Sequence, residues 1–381
     1  MAAPRRLATR EGRLLNWVGC FVDDSSHDLD SGPQSSGYNT ELCADACFGY
    51  GFMALQDDGW CSCGDSYSTE VQYEPVADDE CGSVCSDEES LAPTRYCGTT
   101  SRNAIYSLDY SHWGRIYVTD YDQGTIMRAN PDGSALETLV DISGVNPAGI
   151  DVDTVAGKVY WVSEVSDSVQ RANLDGSELE TVVDGLPGGV FGVVSLDVAA
   201  ETLYITSSGA RKIQRVGLDG SGLEDVYACA SCVPQGVLAV PEAGKLYWTT
   251  GAPPESPGPG YIQRANLNGT SVETLGIGGL STPIGLAADY AGDLLYWAEN
   301  SGKVQRSSLN GSSVEDLLVL GGETPVGIDI DVGTQKLYYV GGAYDTVYRV
   351  ETSGLSDTPL ITSGLSFPWG IAADIRERVA E

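Results

Sequence analysis

The chain has 381 residues, 47 of them glycine and 20 tyrosine but only two histidine, with a formal charge of −33. Its length allows two or three domains, and so acidic a balance argues against nucleic acid or an anionic membrane surface as partner. No run reaches the ~18 apolar residues of a bilayer span. β-Branched and aromatic runs broken by Gly, Asp and Asn read as mainly β.

Residues 1–16, MAAPRRLATREGRLLN, are rich in arginine and lack the apolar stretch of a secretory signal. They read as an unstructured or non-native leader. Eight of the ten cysteines follow: Cys20, Cys43, Cys47, Cys61, Cys63, Cys81, Cys85 and Cys97. An even set with few aliphatic residues between reads as a disulfide framework, because so small a module gains little from burial. Zinc is the alternative, but zinc sites favour CxxC knuckles, and here the spacings are CxC and CxxxC. "NTELCADACFGYGF" predicts a short helix with Thr40 as N-cap and both Cys43 and Cys47 on one face. "WCSCGDS" predicts a strand with Cys61 and Cys63 on one face. Helix and strand could be stapled through these four sulfurs, although other pairings stay open.

These residues resemble the WSC domain family. The resemblance rests on "WVGCFVDD" at 17–24, "LCADACFGYGFMALQ" at 42–56, "CSCGDSY" at 61–67, "ECGSVCSDE" at 80–88 and "YCGTTSRNAIYSL" at 96–108. It implies an extracellular carbohydrate-binding module of small α+β fold over residues 17–108. The chain departs from the family in two places. Ser62 stands where an aromatic usually lies between the CxC cysteines, and Cys97-Gly98-Thr99 replaces Cys-Gly-Gly. Sugar recognition needs an aromatic face flanked by amide and carboxylate groups. Tyr38, Asn39, Trp60, Asp65, Tyr67 and Arg95 supply those types. Against this, Trp17, Phe52 and Trp60 could simply form the small core.

Beyond the head one strand recurs: IYVTD, VYWVS, LYITS, LYWTT, LYWAE and LYYVG. Its tyrosines are Tyr117, Tyr160, Tyr204, Tyr247, Tyr296 and Tyr338, spaced by 43, 44, 43, 49 and 42 residues. The long interval holds the loop "APPESPGPG". Each unit has a glycine-led apolar run, the tyrosine strand, a strand carrying arginine, and, in five units, a D-G or N-G turn leading to a last strand. A period in the low forties with four strands per unit is the mark of a β-propeller. One such sheet cannot bury both its faces; six in a ring can.

The repeats are similar to the YWTD propellers of the low-density-lipoprotein-receptor family, implying six blades over residues 109–376 and a short tail at 377–381. Only Asp120 keeps the aspartate that ends the family's strand. Ser163, Ser207, Thr250, Glu299 and Gly341 replace it. The arginine persists at Arg128, Arg171, Arg215, Arg264, Arg306 and Arg349, and reads as a structural tie. "WGIAAD" at 369–374 is predicted to complete the first blade, leaving residues 103–108 to the head.

Cys229 and Cys232 form a CxxC without the βαβ context of a redox enzyme, and read as a local disulfide. Asn268 and Asn310 begin glycosylation sequons, at positions where other units have a turn Asp. No Ser/His/Asp set, phosphate loop or metal motif is visible, so neither catalysis nor a cofactor or metal is expected. A metal-dependent lactonase- or lyase-like propeller using carboxylates is one alternative, and a propeller serving as a rigid spacer another. The loops beside the tyrosine and glycine-led strands gather Asp120, Asp122, Glu164, Phe191, Glu299, Tyr344, Asp345 and Trp369. Aromatics ringed by acids suit a protein or peptide carrying a basic group. The sequence thus predicts a secreted or cell-surface recognition protein. Its head would bind cell-wall or matrix polysaccharide, and its propeller an extracellular protein or peptide.

Overall fold

A computed structural model describes residues 5–8, 14–22, 29, 31–47, 52–57, 59–64, 75–82, 84, 85, 88, 94–109, 114–186, 192–251, 258–354 and 357–374. The chain divides into two compact units, one from the N-terminus to Gly114 and one spanning Arg115–Arg376.

In the first unit an antiparallel sheet runs in the order Arg5–Ala8, Leu14–Val22, Arg102–Asp109, Phe52–Gln56, Trp60–Gly64, Ser31–Ser35. The expectation of an unstructured leader is corrected over part of its length: Arg5–Ala8 pairs with Leu14–Trp17 and extends the sheet. The backbone donors and acceptors of Leu14–Val22 would otherwise lie on an open edge there. Residues 103–108 belong to this sheet, between Leu14–Val22 and Phe52–Gln56.

Helix Thr40–Ala46 lies over the sheet. Cys43 bonds Cys61 and Cys47 bonds Cys63, joining the helix face to the strand face as their spacings suggest. Cys20–Cys81 and Cys85–Cys97 complete the framework. The Sγ atoms of Cys47 and Cys61 lie 3.7 Å apart because two bridges stack, so these sulfurs are spent in covalent bonds and hold no zinc. The helix cap differs from expectation. Asn39 Oδ1 accepts the Leu42 N–H at 2.9 Å, so Asn39 is the N-cap. The Thr40 hydroxyl instead donates to the buried Glu88 carboxylate.

The described residues of the second unit form six four-stranded antiparallel sheets. Their inner strands, 368–374, 147–153, 194–197, 233–240, 283–289 and 325–331, touch their neighbours in a closed circle, as the blades of a propeller do. The first blade holds residues 115–141 and takes its inner strand, Pro368–Asp374, from the far end of the chain. The prediction for "WGIAAD" thus matches the strand order.

Alternation along the tyrosine strand explains why it recurs. Side chains at i and i+1 point to opposite faces of a sheet. Tyr117 packs in one cluster with Trp161 of the next blade, Tyr204 with Trp248, Tyr247 with Trp297, and Tyr296 with Tyr339. Tyr338 closes the circle against Ile116 and Val118 of the first blade. All six tyrosines are buried. Each blade thus presents tyrosine forward and, in most blades, a second aromatic backward, and each buried ring contributes about 1.5–3 kcal/mol.

The conserved spacing of arginine has an equally direct cause. Arg171 donates from Nε to Glu180 in its own blade and from Nη1 to the Leu218 carbonyl in the next. Arg128, Arg264 and Arg306 do the same, onto Leu174, Leu309 and Thr352. Arg349 reaches Pro131 of the first blade at 3.3 Å. The exposed ion pairs alone are worth at most about 1 kcal/mol each, but the contact to the next blade makes these five arginines bolts between blades, while Arg215 pairs with Glu224 of its own blade.

The inner-strand glycines mark where blades approach most closely. A Cβ on Gly370 would sit 2.7 Å from the Ala148 carbonyl oxygen, and one on Gly327 2.6 Å from that of Trp369. At Gly236 a Cβ would overlap the Ile284 carbonyl oxygen, which is backbone and cannot swing aside. Gly236→Ala should therefore cost about 1–3 kcal/mol, read as a lowered midpoint in urea with an unchanged slope.

Candidate functional site

Strand direction places the loops after the tyrosine strands, and those before the inner strands, at one end of the propeller. The turns after the inner strands, and the D-G and N-G turns, lie at the other. At the first end, Tyr121, Phe367 and Trp369 form an aromatic group. Ring centroids are 5.7 Å apart for Tyr121–Phe367, 5.8 Å for Phe367–Trp369 and 6.5 Å for Tyr121–Trp369. Phe367 and Trp369 are half-buried.

The local backbone explains how they meet. Tyr121 N–H donates to Phe367 O, just as Glu164 donates to Asn146, Asn300 to Thr282 and Gly342 to Thr324. The register is that of every such blade, but aromatics occupy it here. Phe367 alone of these partners has positive φ, 55°, among the described residues. A bulky side chain in the left-handed region costs about 1–3 kcal/mol and persists only when its surroundings impose it. The Asp345 carboxylate does so, accepting the Phe367 N–H at 2.7 Å.

Acidic groups surround the rings. Asp122 is exposed, whereas Glu164 and Asp345 are half-buried. The Tyr121 hydroxyl donates to Glu164 across the first two blades. Burial, and then that bond, push the Tyr121 phenol up to about 12, so it stays a neutral donor. Tyr344, 59% exposed, stands on the same end of the sixth blade.

Two expected ligand contacts are spent inside the fold. Asp120 is buried and accepts the backbone N–H groups of Gln123 and Ser366, fastening the loop before the closing strand. Burial holds its carboxyl above the usual range against the pull of those two donors. Glu299 is buried likewise and accepts from Ser281 and Thr282. Acids at this strand end satisfy loop amides that would otherwise be orphaned. In the sixth blade the strand end is Gly341, and Glu323 reaches in from the loop to bind Thr324, Ala343 and Tyr348. A Cβ on Gly341 would overlap that carboxylate. Phe191 lies outside the described residues.

Tyr121 and Phe367 escape a reading confined to strand ends. Aligning the loops shows the signal: Phe367 stands where other units have Asn146, Thr282 and Thr324, and Tyr121 where they have Glu164, Asn300 and Gly342.

In the head, Tyr38 donates its N–H to Gly59 O, which brings Tyr38, Asn39 and Trp60 together. Trp60 and Tyr38 are half-buried; Tyr38 packs on the core, while Trp60 belongs to neither core cluster. Trp17 is core, edge-on to Tyr106, and Phe52 packs on the second cluster. Arg95 is corrected: it is 2% exposed and pairs with Glu88, 1% exposed, at 3.1 Å, while also donating to Thr40. A buried charge so engaged is not a sugar contact. Ser62, where the family has an aromatic, is buried opposite Ala54, on the same face of the strand as Trp60. Asp65 and Tyr67 lie outside the described residues.

Cys229–Cys232 is a disulfide. Asn268 and Asn310 are exposed, and each accepts the N–H two residues on, as Asp132, Asp175 and Asp219 do. Both sequons lie at the end opposite the aromatic group. Among the described residues the only grouping with metal-ligand character is the bonded cysteines Cys43, Cys47 and Cys61. No helix there is long and apolar enough to cross a membrane.

Residues 17–99 match the model of the WSC domain family. This segment is a WSC domain. Its match, with the repeats beyond it, makes the chain a WSC domain followed by a β-propeller. A chain in the crystal structure of a nidogen/laminin complex is 20% identical, with a TM-score of 0.62 over 69% of this chain and 99% of that one. TolB from Acinetobacter baumannii is 18% identical, with a TM-score of 0.56 over 68% of this chain and 66% of that one. At these identities the likeness shows the fold alone. No curated protein matches the chain.

Proposed function

We propose that this is an extracellular or cell-surface recognition protein in which the WSC domain binds carbohydrate and the propeller binds a protein or peptide with a basic group. The five disulfides and the WSC domain fit an oxidising, extracellular setting. The carrying observation is Phe367, a half-buried aromatic in a strained conformation beside Trp369 and Tyr121, with acids around it. Strain of this kind collects at binding sites, and aromatics of this kind dominate interface energies. The propeller's first and last strands, meeting at Arg115 and Asp374, end at the opposite side, as do both sequons. The similar nidogen/laminin chain was crystallised in a complex of two proteins.

The whole chain, screened against matrix proteins and basic peptides, should yield a ligand whose affinity falls about 30-fold or more in Phe367→Ala with Trp369→Ala. Undiminished affinity in that variant would remove this face. On a glycan array, Trp60→Ala should lose the sugars that the parent retains.

A further inference from the structure

We propose that Cys229–Cys232 is a thiol-exchange site, opened by a small thiol or a protein dithiol while the four bridges of the WSC domain stay closed. The bridge closes the loop between the outer strand Glu224–Ala228 of the third blade and the inner strand Val233–Val240 of the fourth. That loop lies at the aromatic end of the propeller. The inference does not depend on what binds there.

Three observations single this bridge out. The first is access. Cys232 is buried, but Cys229 is half-buried and Ala230 and Ser231 are exposed, so one sulfur of this bridge can be reached, whereas all eight cysteines of the head are buried. An attacking thiolate must reach a sulfur along the S–S axis, so buried bridges react slowly. The second is the length of chain each bridge closes. Its cysteines are three residues apart, against 12, 16, 18 and 61 in the head. A short loop gains least from being closed, so opening it releases little chain entropy and leaves the blades paired.

The third is charge. In a chain of net charge −33, a guanidinium stands beside this bridge. Arg211 Nη1 donates to the Ala230 carbonyl, between the two cysteines, at 3.4 Å, and the Cys229 N–H donates to Arg211 O at 2.9 Å. A neighbouring cation draws in thiolates and stabilises the thiolate that departs. Lys212 adds a second positive charge next in sequence, itself paired with Asp225 at 2.6 Å.

The chemistry balances. A thiolate RS⁻ attacks the Cys229 sulfur, the S–S bond breaks, and Cys232 leaves as a thiolate in the field of Arg211. A second thiol attacks the mixed disulfide, releasing RSSR and the Cys229 thiolate. Both cysteines then take up the protons the two thiols gave up. Two electrons pass from the thiol pair to the cysteine pair, and a dithiol reductant closes its own disulfide instead.

The test uses the full chain in native buffer with graded reduced glutathione or dithiothreitol. Freed thiols are trapped with N-ethylmaleimide and located by peptide mass spectrometry. Cys229 and Cys232 should label at least about tenfold faster than any head cysteine. At low salt Arg211→Gln should slow that labelling about threefold, with the difference shrinking at high salt. Arg211→Lys should label at nearly the parent rate, which separates charge from loop shape. Labelling of the head cysteines first or in step would overturn the proposal. So would a bridge that opens only when the propeller unfolds, or a rate indifferent to Arg211→Gln.

Discussion

A chain lacking residues 366–381 should show no cooperative thermal transition for the propeller in calorimetry, while the full chain shows one. The deleted segment carries the inner strand of the first blade, which pairs with the tyrosine strand from Pro368↔Asp120 to Asp374↔Arg115. It also buries Ile371, Ala372 and Ala373. Its amides are claimed by two blades: Gly370 by Thr119 of the first, and Ala373 and Phe367 by Asp329 and Asp345 of the sixth. Gly370 packs on Ala148 of the second. Removing it bares the clusters on both sides and leaves Arg115–Asp120 as an open edge. The loss should match or exceed the whole ~5–15 kcal/mol by which a domain is held. A deletion that merely lowered the midpoint by a few degrees would mean that the ring closes by other contacts.

The second large effect concerns the WSC domain. Cys43→Ala with Cys61→Ala removes one of the two staples between helix and sheet, at a cost of about 2–5 kcal/mol. For so small a module that approaches its entire stability. Backbone amide exchange across Phe52–Gln56 and Trp60–Gly64 should rise toward unfolded rates while the propeller strands stay protected. Cys229→Ala with Cys232→Ala serves as the contrast. It should leave both units folded, because that bridge spans three residues rather than 18. Equal losses from both variants would show that covalent constraint is not what holds the head.

The ring was legible because its determinants are local and repeated. A buried tyrosine followed by a second aromatic or aliphatic residue, at a period in the low forties, demands neighbours on both faces. The stapling of Cys43 and Cys47 to Cys61 and Cys63 was legible for the same reason: helix and strand periodicities each put two sulfurs on one side. The head's start and the helix cap were less so. "NT" offers two capping residues, and the choice of Asn39 is settled by Glu88, which claims the Thr40 hydroxyl from 48 residues away. Arg95 was misassigned for a related reason, since a lone arginine gives no sign of the partner that will bury it.

The aromatic end was only half legible. Trp369, Asp122, Glu164, Tyr344 and Asp345 were within reach of a strand-end reading. Asp120 and Glu299 were not distinguishable from them, because a carboxylate that satisfies loop amides and one that meets a ligand look alike in sequence. The contact between Asp120 and Ser366 spans 246 residues. Tyr121 and Phe367 become neighbours only once the ring has closed.

Glu323 and Gly341 carry a consequence for how this sequence can vary. In the first and fifth blades the acid, Asp120 or Glu299, grows from the strand and reaches toward the loop; in the sixth blade it grows from the loop and fills the space above a bare strand position. Two carboxylates cannot share that slot. Restoring an acid at 341 would be harmful alone and tolerable only once Glu323 had been shortened. The two sites are therefore epistatic, and drift from one solution to the other must pass through a blade with either none or one too many.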